Sequence, residues 1–187
     1  MRRGFKAEAE RIALDVRQSL GLEPMAPIDP WAYALHLGVV VLDFDKLDLS
    51  PEHCQRLLKL DPESWSGLTL KEGGRHFVLI NPADQKRRQC NTMMHELAHI
   101  TLKHVPKRVD VSAGGLMLLS DYPADQEDEA DWLAAAVLLP RDALHHHRSA
   151  GWTSSQICDA YCVSTELCNW RLRMTGVEMQ LRRRRTT

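Results

Sequence analysis

Apolar positions along the first part of the chain recur at helical spacing, give way to strand-like runs, and then return to helical spacing. Ala9, Ile12, Ala13, Val16 and Leu20 form one stripe, which predicts an amphipathic helix over residues 5–20 stopped by Gly21. Asp29-Pro30 supplies a cap and a first-turn proline for a short helix through Leu37, and residues 39–44 read as a buried strand. Another helix start stands at Ser50-Pro51. Residues 65–70 and 76–81 are strand-like, and the Lys71-Glu72-Gly73-Gly74-Arg75 between them has the chemistry of a hairpin turn. Asn81-Pro82 then leads, with Asp84 as the expected cap, into a long helix carrying Cys90, Met93, Met94, Leu97, Ile100 and Leu102 and closed by Pro106.

The second part is less regular. Residues 105–125, with Gly114-Gly115 and the apolar run 116–119, are expected to form a surface loop with one buried segment, a mobile flap being the sharper reading. The acidic run 125–131 opens a helix whose apolar part ends at Pro140, and acid at a helix N-terminus complements its dipole. Residues 153–174 read as helix, turn, helix, with Ser154 or Ser155 and then Ser164 as caps. The organisation expected is a domain over 1–150, a helix-turn-helix-like segment over 151–176 and an unstructured basic tail over 177–187.

Charge narrows the function classes. The 187 residues sum to a net charge of −1, so no global field attracts nucleic acid. Residues 171–187 nevertheless hold six Arg against one Glu, which leaves direct DNA binding by the tail as a weaker reading. The chain starts with charged residues where a signal peptide needs an apolar core, and no apolar run approaches membrane-spanning length, so a cytoplasmic protein with no membrane partner is expected. Five cysteines without a Cys-x-x-Cys pair read as reduced, partly buried thiols. His145-His146-His147 reads as an exposed cluster, since adjacent histidines on a helix splay by about 100° each.

The chemistry lies in Met94-His95-Glu96-Leu97-Ala98-His99-Ile100, a His-Glu-x-x-His sequence inside the long helix. Residues four apart point to nearly one side, so His95 and His99 can offer two imidazoles to one zinc ion. Glu96 beside them can take a proton from water and later give it to a leaving amine. A catalytic zinc takes three protein ligands, so a third must come from elsewhere. His104 is unsuited, being about 140° further round the helix than His99. A carboxylate of the acidic run fits better. A second donor to stabilise the reacting carbonyl is expected from among His76, His104, Tyr122 and Tyr161, which the sequence does not rank.

These residues, with Glu127-Asp128-Glu129-Ala130-Asp131-Trp132-Leu133-Ala134-Ala135 and Leu138-Leu139-Pro140 some thirty positions on, resemble the ImmA/IrrE family of bacterial metallopeptidases over about residues 7–176. An Asp-Pro helix, a Gly-Val-Val strand and the Ile80-Asn81 strand end extend the likeness. The resemblance implies an α+β fold, a mostly helical zincin-like domain with a small antiparallel sheet. It implies one zinc held by His95, His99 and the Glu of the Glu-Ala pair, Glu129. Glu127 points about 200° away from Glu129 on a helix, so both cannot serve. The resemblance further implies a narrow biological role, the cleavage of a helix-turn-helix repressor or antitoxin, which derepresses genes of a stress response or mobile element. The competing reading is a regulatory binding protein without hydrolysis, and the intact Glu96 argues against it.

Overall fold

The computed structural model describes residues 1–47, 50–60, 64–112, 115 and 117–185. Among these are nine α-helices and a five-stranded sheet: α1 (Phe5–Ser19), α2 (Pro30–His36), β1 (Val40–Leu42), α3 (Pro51–Gln55), β2 (Gly67–Glu72), β3 (Arg75–Ile80), α4 (Lys86–Leu102), β4 (Arg108–Val111), β5 (Met117–Ser120), α5 (Ala124–Leu138), α6 (Arg141–Ser149), α7 (Ser154–Tyr161), α8 (Thr165–Thr175) and α9 (Val177–Arg185). The strands lie in the order β1-β3-β2-β5-β4. All pairs are antiparallel except β1 with β3, so the sheet is mixed rather than purely antiparallel.

Local chemistry sets most boundaries. Asp29 caps α2 by accepting at 3.0 Å from the amide of Trp31, the second residue of a helix begun by Pro30. Gly73 and Gly74 take φ of 54° and 83°, the left-handed backbone that a tight hairpin between β2 and β3 demands. At the end of β3, buried Asn81 donates from Nδ2 to Trp65 O at 2.9 Å and accepts from Ala83 N at 2.9 Å, which turns the chain from the sheet into α4. Asp84 is not the cap of that helix. Gln85 stands there without a side-chain bond, and Asp84 instead pairs with Arg88 at 3.2 Å.

Three further expectations change. The irregular stretch after α4 is a β-hairpin that extends the sheet: β4 and β5 pair with Val109 opposite Leu119. Every residue of β4 is exposed, and its Arg-Val-Asp-Val alternation spans only four residues. Gly114 and Leu116 of that stretch lie outside the described residues. Thr153, rather than Ser154 or Ser155, caps α7 through a reciprocal box with Gln156. Residues 177–185 form a helix because Val177 is buried and Leu181 packs on the core; residues 186–187 are not described. His147 is not a free surface group either: its ring lies 4.2 Å from that of Trp152, and Nε2 is 3.0 Å from Tyr161 Oη. No described helix is long and apolar enough to cross a membrane.

The core joins all parts of the chain, with Phe5, Val78, Met93, Leu97, Ala130, Leu138, Ile157, Leu172 and Val177 in one buried cluster. Helix α5 runs through its middle and packs on both α1 and α4. The carbonyls of its last turn cannot bond within the helix. Two buried arginines take them instead: Arg17 Nη2 donates to Val137 O at 2.7 Å, and Arg171 Nε donates to Leu139 O at 3.0 Å. Arg171 also pairs with Glu10 at 2.5 Å. Replacing it leaves the Leu139 carbonyl without that donor and removes the cation facing Glu10, so Arg171→Met is expected to cost about 3 kcal/mol in urea unfolding. An unchanged midpoint would show that α5 does not need this anchor.

Candidate metal centre

Helix α4 places His95 and His99 on successive turns of one face, with ring centroids 4.7 Å apart. Helix α5 packs beside it and brings Glu127 to both rings. Glu127 Oε2 lies 3.2 Å from His95 Nε2 and 3.5 Å from His99 Nε2, and the two nitrogens are 3.1 Å apart. Zinc bonds of about 2.0–2.1 Å to N and O in a tetrahedron require donors separated by roughly 3.3–3.4 Å. The observed triangle brackets that value. Two imidazoles and one carboxylate at this spacing fit a small divalent metal ion.

The carboxylate brought to the imidazoles is therefore Glu127 and not the expected Glu129. The roughly 200° between the two positions points Glu129 away from the rings that Glu127 meets. Glu129 is 4% exposed, and its carboxylate accepts from the Arg2 amide at 2.7 Å and from Arg2 Nε at 3.0 and 3.1 Å. Burial alone would raise its pKa, but these bonds outweigh burial and hold the carboxyl below the usual range. His104 lies behind His99, with their Nδ1 atoms 3.0 Å apart. It is brought there by Lys103, whose left-handed φ of 54° ends α4 and turns the chain back.

The sheet closes the other side. Side chains on a strand alternate, so Gly67 and Thr69 of β2 share the face that looks at α4. Thr69 Oγ1 donates to Glu96 Oε2 at 2.5 Å. A Cβ on Gly67 would stand 2.6 Å from Thr92 Cγ2 and 3.4 Å from Glu96 Oε1, so only glycine lets α4 come this close. Leu118, Leu119 and Tyr122 complete a cleft that also contains His95, Glu96, His99 and Glu127. Larger hollows elsewhere, such as the one between Trp132 and Trp170, hold no comparable donor set among the described residues.

Of the four side chains the sequence left unranked as carbonyl-stabilising donors, Tyr122 alone lines this cleft. Its ring stacks on His99 at 3.8 Å. Burial, then Glu96 and Glu127, push its hydroxyl up to about 12, so it stays a donor at neutral pH. Tyr161 instead donates to Met25 O at 2.6 Å, and His76 sits in the β2–β3 hairpin opposite Lys71.

Asp131 is a member of this cluster that the sequence pattern did not single out. One turn after Glu127 on α5, its Oδ1 lies 2.9 Å from His95 Nδ1 and fixes that ring from behind. The signal was present: Glu127 and Asp131 are four apart, matching the spacing of His95 and His99. Burial opposes charge on His95, but the bonds from Asp131 and Glu127 prevail and raise its pKa to about 10. Burial and then the neighbouring His95 charge lower His99 to about 4, so one of the two rings carries the proton. Burial raises the Glu96 carboxyl despite the Thr69 bond.

A folded pKa of about 10 on His95 against 6.5 in the unfolded chain has a definite sign. Its stabilisation is complete below pH 6.5 and is lost as pH rises through 10. In metal-free protein, urea unfolding is expected to show the wild type losing more stability than Asp131→Asn between pH 6.5 and 10. Parallel losses in the two proteins would refute the Asp131 contribution.

The sequence comparison agrees with this geometry. No curated protein matches the chain. The model of the peptidase M78 family, described as the IrrE N-terminal-like domain, matches residues 37–173, a span that holds every described strand and both helices of the cleft. A match over most of its length shows that the chain belongs to the M78 peptidase family.

Proposed function

We propose that this chain is a zinc-dependent endopeptidase that holds one metal ion through His95, His99 and Glu127 and uses Glu96 as its general base. The observation that carries the reading is the triangle of donors at 3.1, 3.2 and 3.5 Å with Glu96 in the same cleft. Packing of α4 against β2 and β3 supports a zincin-type arrangement. A zinc ion bound there supplies Lewis-acid polarisation of water and of the peptide carbonyl.

The remaining steps belong to the protein. Glu96 accepts the proton of the attacking water and then delivers it to the leaving amine. The opposed effects of burial and the Thr69 bond leave its carboxyl above the ordinary carboxylate range, which suits a group that must both take and give a proton. Tyr122 donates to the developing oxyanion from its place against His99. Asp131 keeps the His95 ring oriented by holding Nδ1.

The substrate follows from the family resemblance: a helix-turn-helix repressor or antitoxin whose cleavage derepresses genes of a stress response or a mobile element, within the cytoplasm. Direct DNA binding is not part of this reading. Arg171, on the second helix of the helix-turn-helix-like segment, is fully buried on Glu10 and Leu139 O.

Elemental analysis of untagged protein is expected to give about one zinc per chain, lost in His99→Ala and in Glu127→Ala. Glu96→Gln is expected to retain the metal and to lower cleavage of a peptide library, read by mass spectrometry, by about 10²–10⁴-fold. Tyr122→Phe is expected to lower kcat by about 10²-fold with the metal retained. Wild type free of zinc after growth in zinc would end the reading. Zinc-loaded wild type that cuts no peptide and no co-expressed repressor would favour a binding protein.

A further inference from the structure

Glu129 and His104 are both buried, both polar, and both outside the proposed donor set. The His104 side chain is 5% exposed and that of Glu129 is 6% exposed. His104 Nε2 is buried with no hydrogen-bond partner, and the group facing it is Glu129 Oε2 at 3.7 Å. On its far side, Glu129 is held by three bonds from Arg2. On the other side of the His104 ring, Nδ1 meets His99 Nδ1 at 3.0 Å. A line of contacts thus runs from Arg2 through Glu129 and His104 to His99.

We infer that Arg2, Glu129 and His104 form a positioning chain that fixes the tautomer and orientation of His99 for the metal. The inference rests on His99 being a zinc ligand, as proposed above. An ionised carboxylate only accepts, so it selects a proton on His104 Nε2. A neutral imidazole carries one proton, which leaves a lone pair on His104 Nδ1. That lone pair selects a proton on His99 Nδ1, and the His99 lone pair then resides on Nε2, the atom facing Glu127 and His95. The opposite arrangement would put the proton of His99 on Nε2 and remove it as a ligand. Arg2 contributes by holding the carboxylate in place, with Oε2 3.7 Å from His104 Nε2.

This gives His104 and Glu129 a role in metal binding without contact with the metal. Outer partners of ligating imidazoles are worth about 10–100-fold in metal affinity. The test is zinc affinity by chelator competition on wild type, His104→Leu, His104→Asn and Glu129→Leu, with circular dichroism of each metal-free protein as the folding control. His104→Leu is expected to bind zinc about 10–100-fold more weakly. His104→Asn, whose side-chain carbonyl can still accept from His99 Nδ1, is expected to recover most of that loss, and Glu129→Leu to fall between. Long-range ¹H–¹⁵N spectra of the zinc-loaded wild type are expected to show His104 protonated on Nε2.

Zinc affinity in folded His104→Leu equal to that of wild type, or His104 protonated on Nδ1, overturns the inference and leaves the protease reading intact. Wild type that binds no zinc overturns both. If His104→Leu does not fold, Glu129→Leu and the ring-proton assignment decide the matter.

Discussion

The structure depends on the register between α4 and α5. Two imidazoles four residues apart define a line along one side of α4, and a carboxylate can meet both only if the neighbouring helix passes at one height and at short range. Close approach requires small side chains, and α5 buries Ala130, Ala134, Ala135 and Ala136. Height requires an anchor along the axis. Arg17 and Arg171 supply it by taking the carbonyls of Val137 and Leu139, so the end of α5 far from Glu127 is tied to α1, α8 and Glu10. Buried guanidinium groups are costly to desolvate, and burial does lower the pKa of Arg17 to about 10. Each is matched to buried backbone carbonyls, and Arg171 also to the Glu10 carboxylate.

Three acids within five residues of α5 do three different things, and helical geometry separates them. Glu127 faces both imidazoles, and Asp131, one turn on, backs the first of them. Glu129 projects to the opposite side, where Arg2 meets it. The common reading of such a run is compensation of the helix dipole. That effect is worth tenths of a kcal/mol at an exposed terminus, whereas contacts of about 3 Å between carboxylates and partly buried imidazoles move a histidine from 6.5 to about 10. Specific pairing therefore outweighs the dipole in setting the protonation of this site.

Much of the fold and the motif helix were legible because their signals are local. The stripe of α1, the Asp-Pro start of α2, the glycine turn between β2 and β3 and the His-Glu-x-x-His spacing each follow from local stereochemistry. What was not legible depends on which side of a helix meets a neighbour. The family resemblance points to the Glu-Ala pair and so to Glu129, whereas the matching four-residue spacings of His95 with His99 and of Glu127 with Asp131 are the better physical guide. The hairpin of β4 and β5 was hidden because β4 is only four residues long and exposed throughout, so its alternation Arg-Val-Asp-Val is too short to stand out from a surface loop. Helix α9 was hidden because its arginines outnumber the two apolar positions, Val177 and Leu181, that dock it. Thr69 and Tyr122 belong to elements distant in sequence from the motif, and only folding brings them to it.

The sheet is more than a support for the motif helix. Thr69 is 1% exposed, opposite Val78 on β3 and Leu119 on β5, so its hydroxyl is fixed by strand register on both sides. A group held that way can offer Glu96 one hydrogen bond in one direction, and it leaves the second carboxylate oxygen free of that constraint. Gly67 acts on the helix rather than on that oxygen: a Cβ there would stand 2.6 Å from Thr92 Cγ2, closer than real atoms come, but only in ordinary contact with Glu96 at 3.4 Å. Strand β2 thus restrains one oxygen of the base and sets how near the motif helix can come.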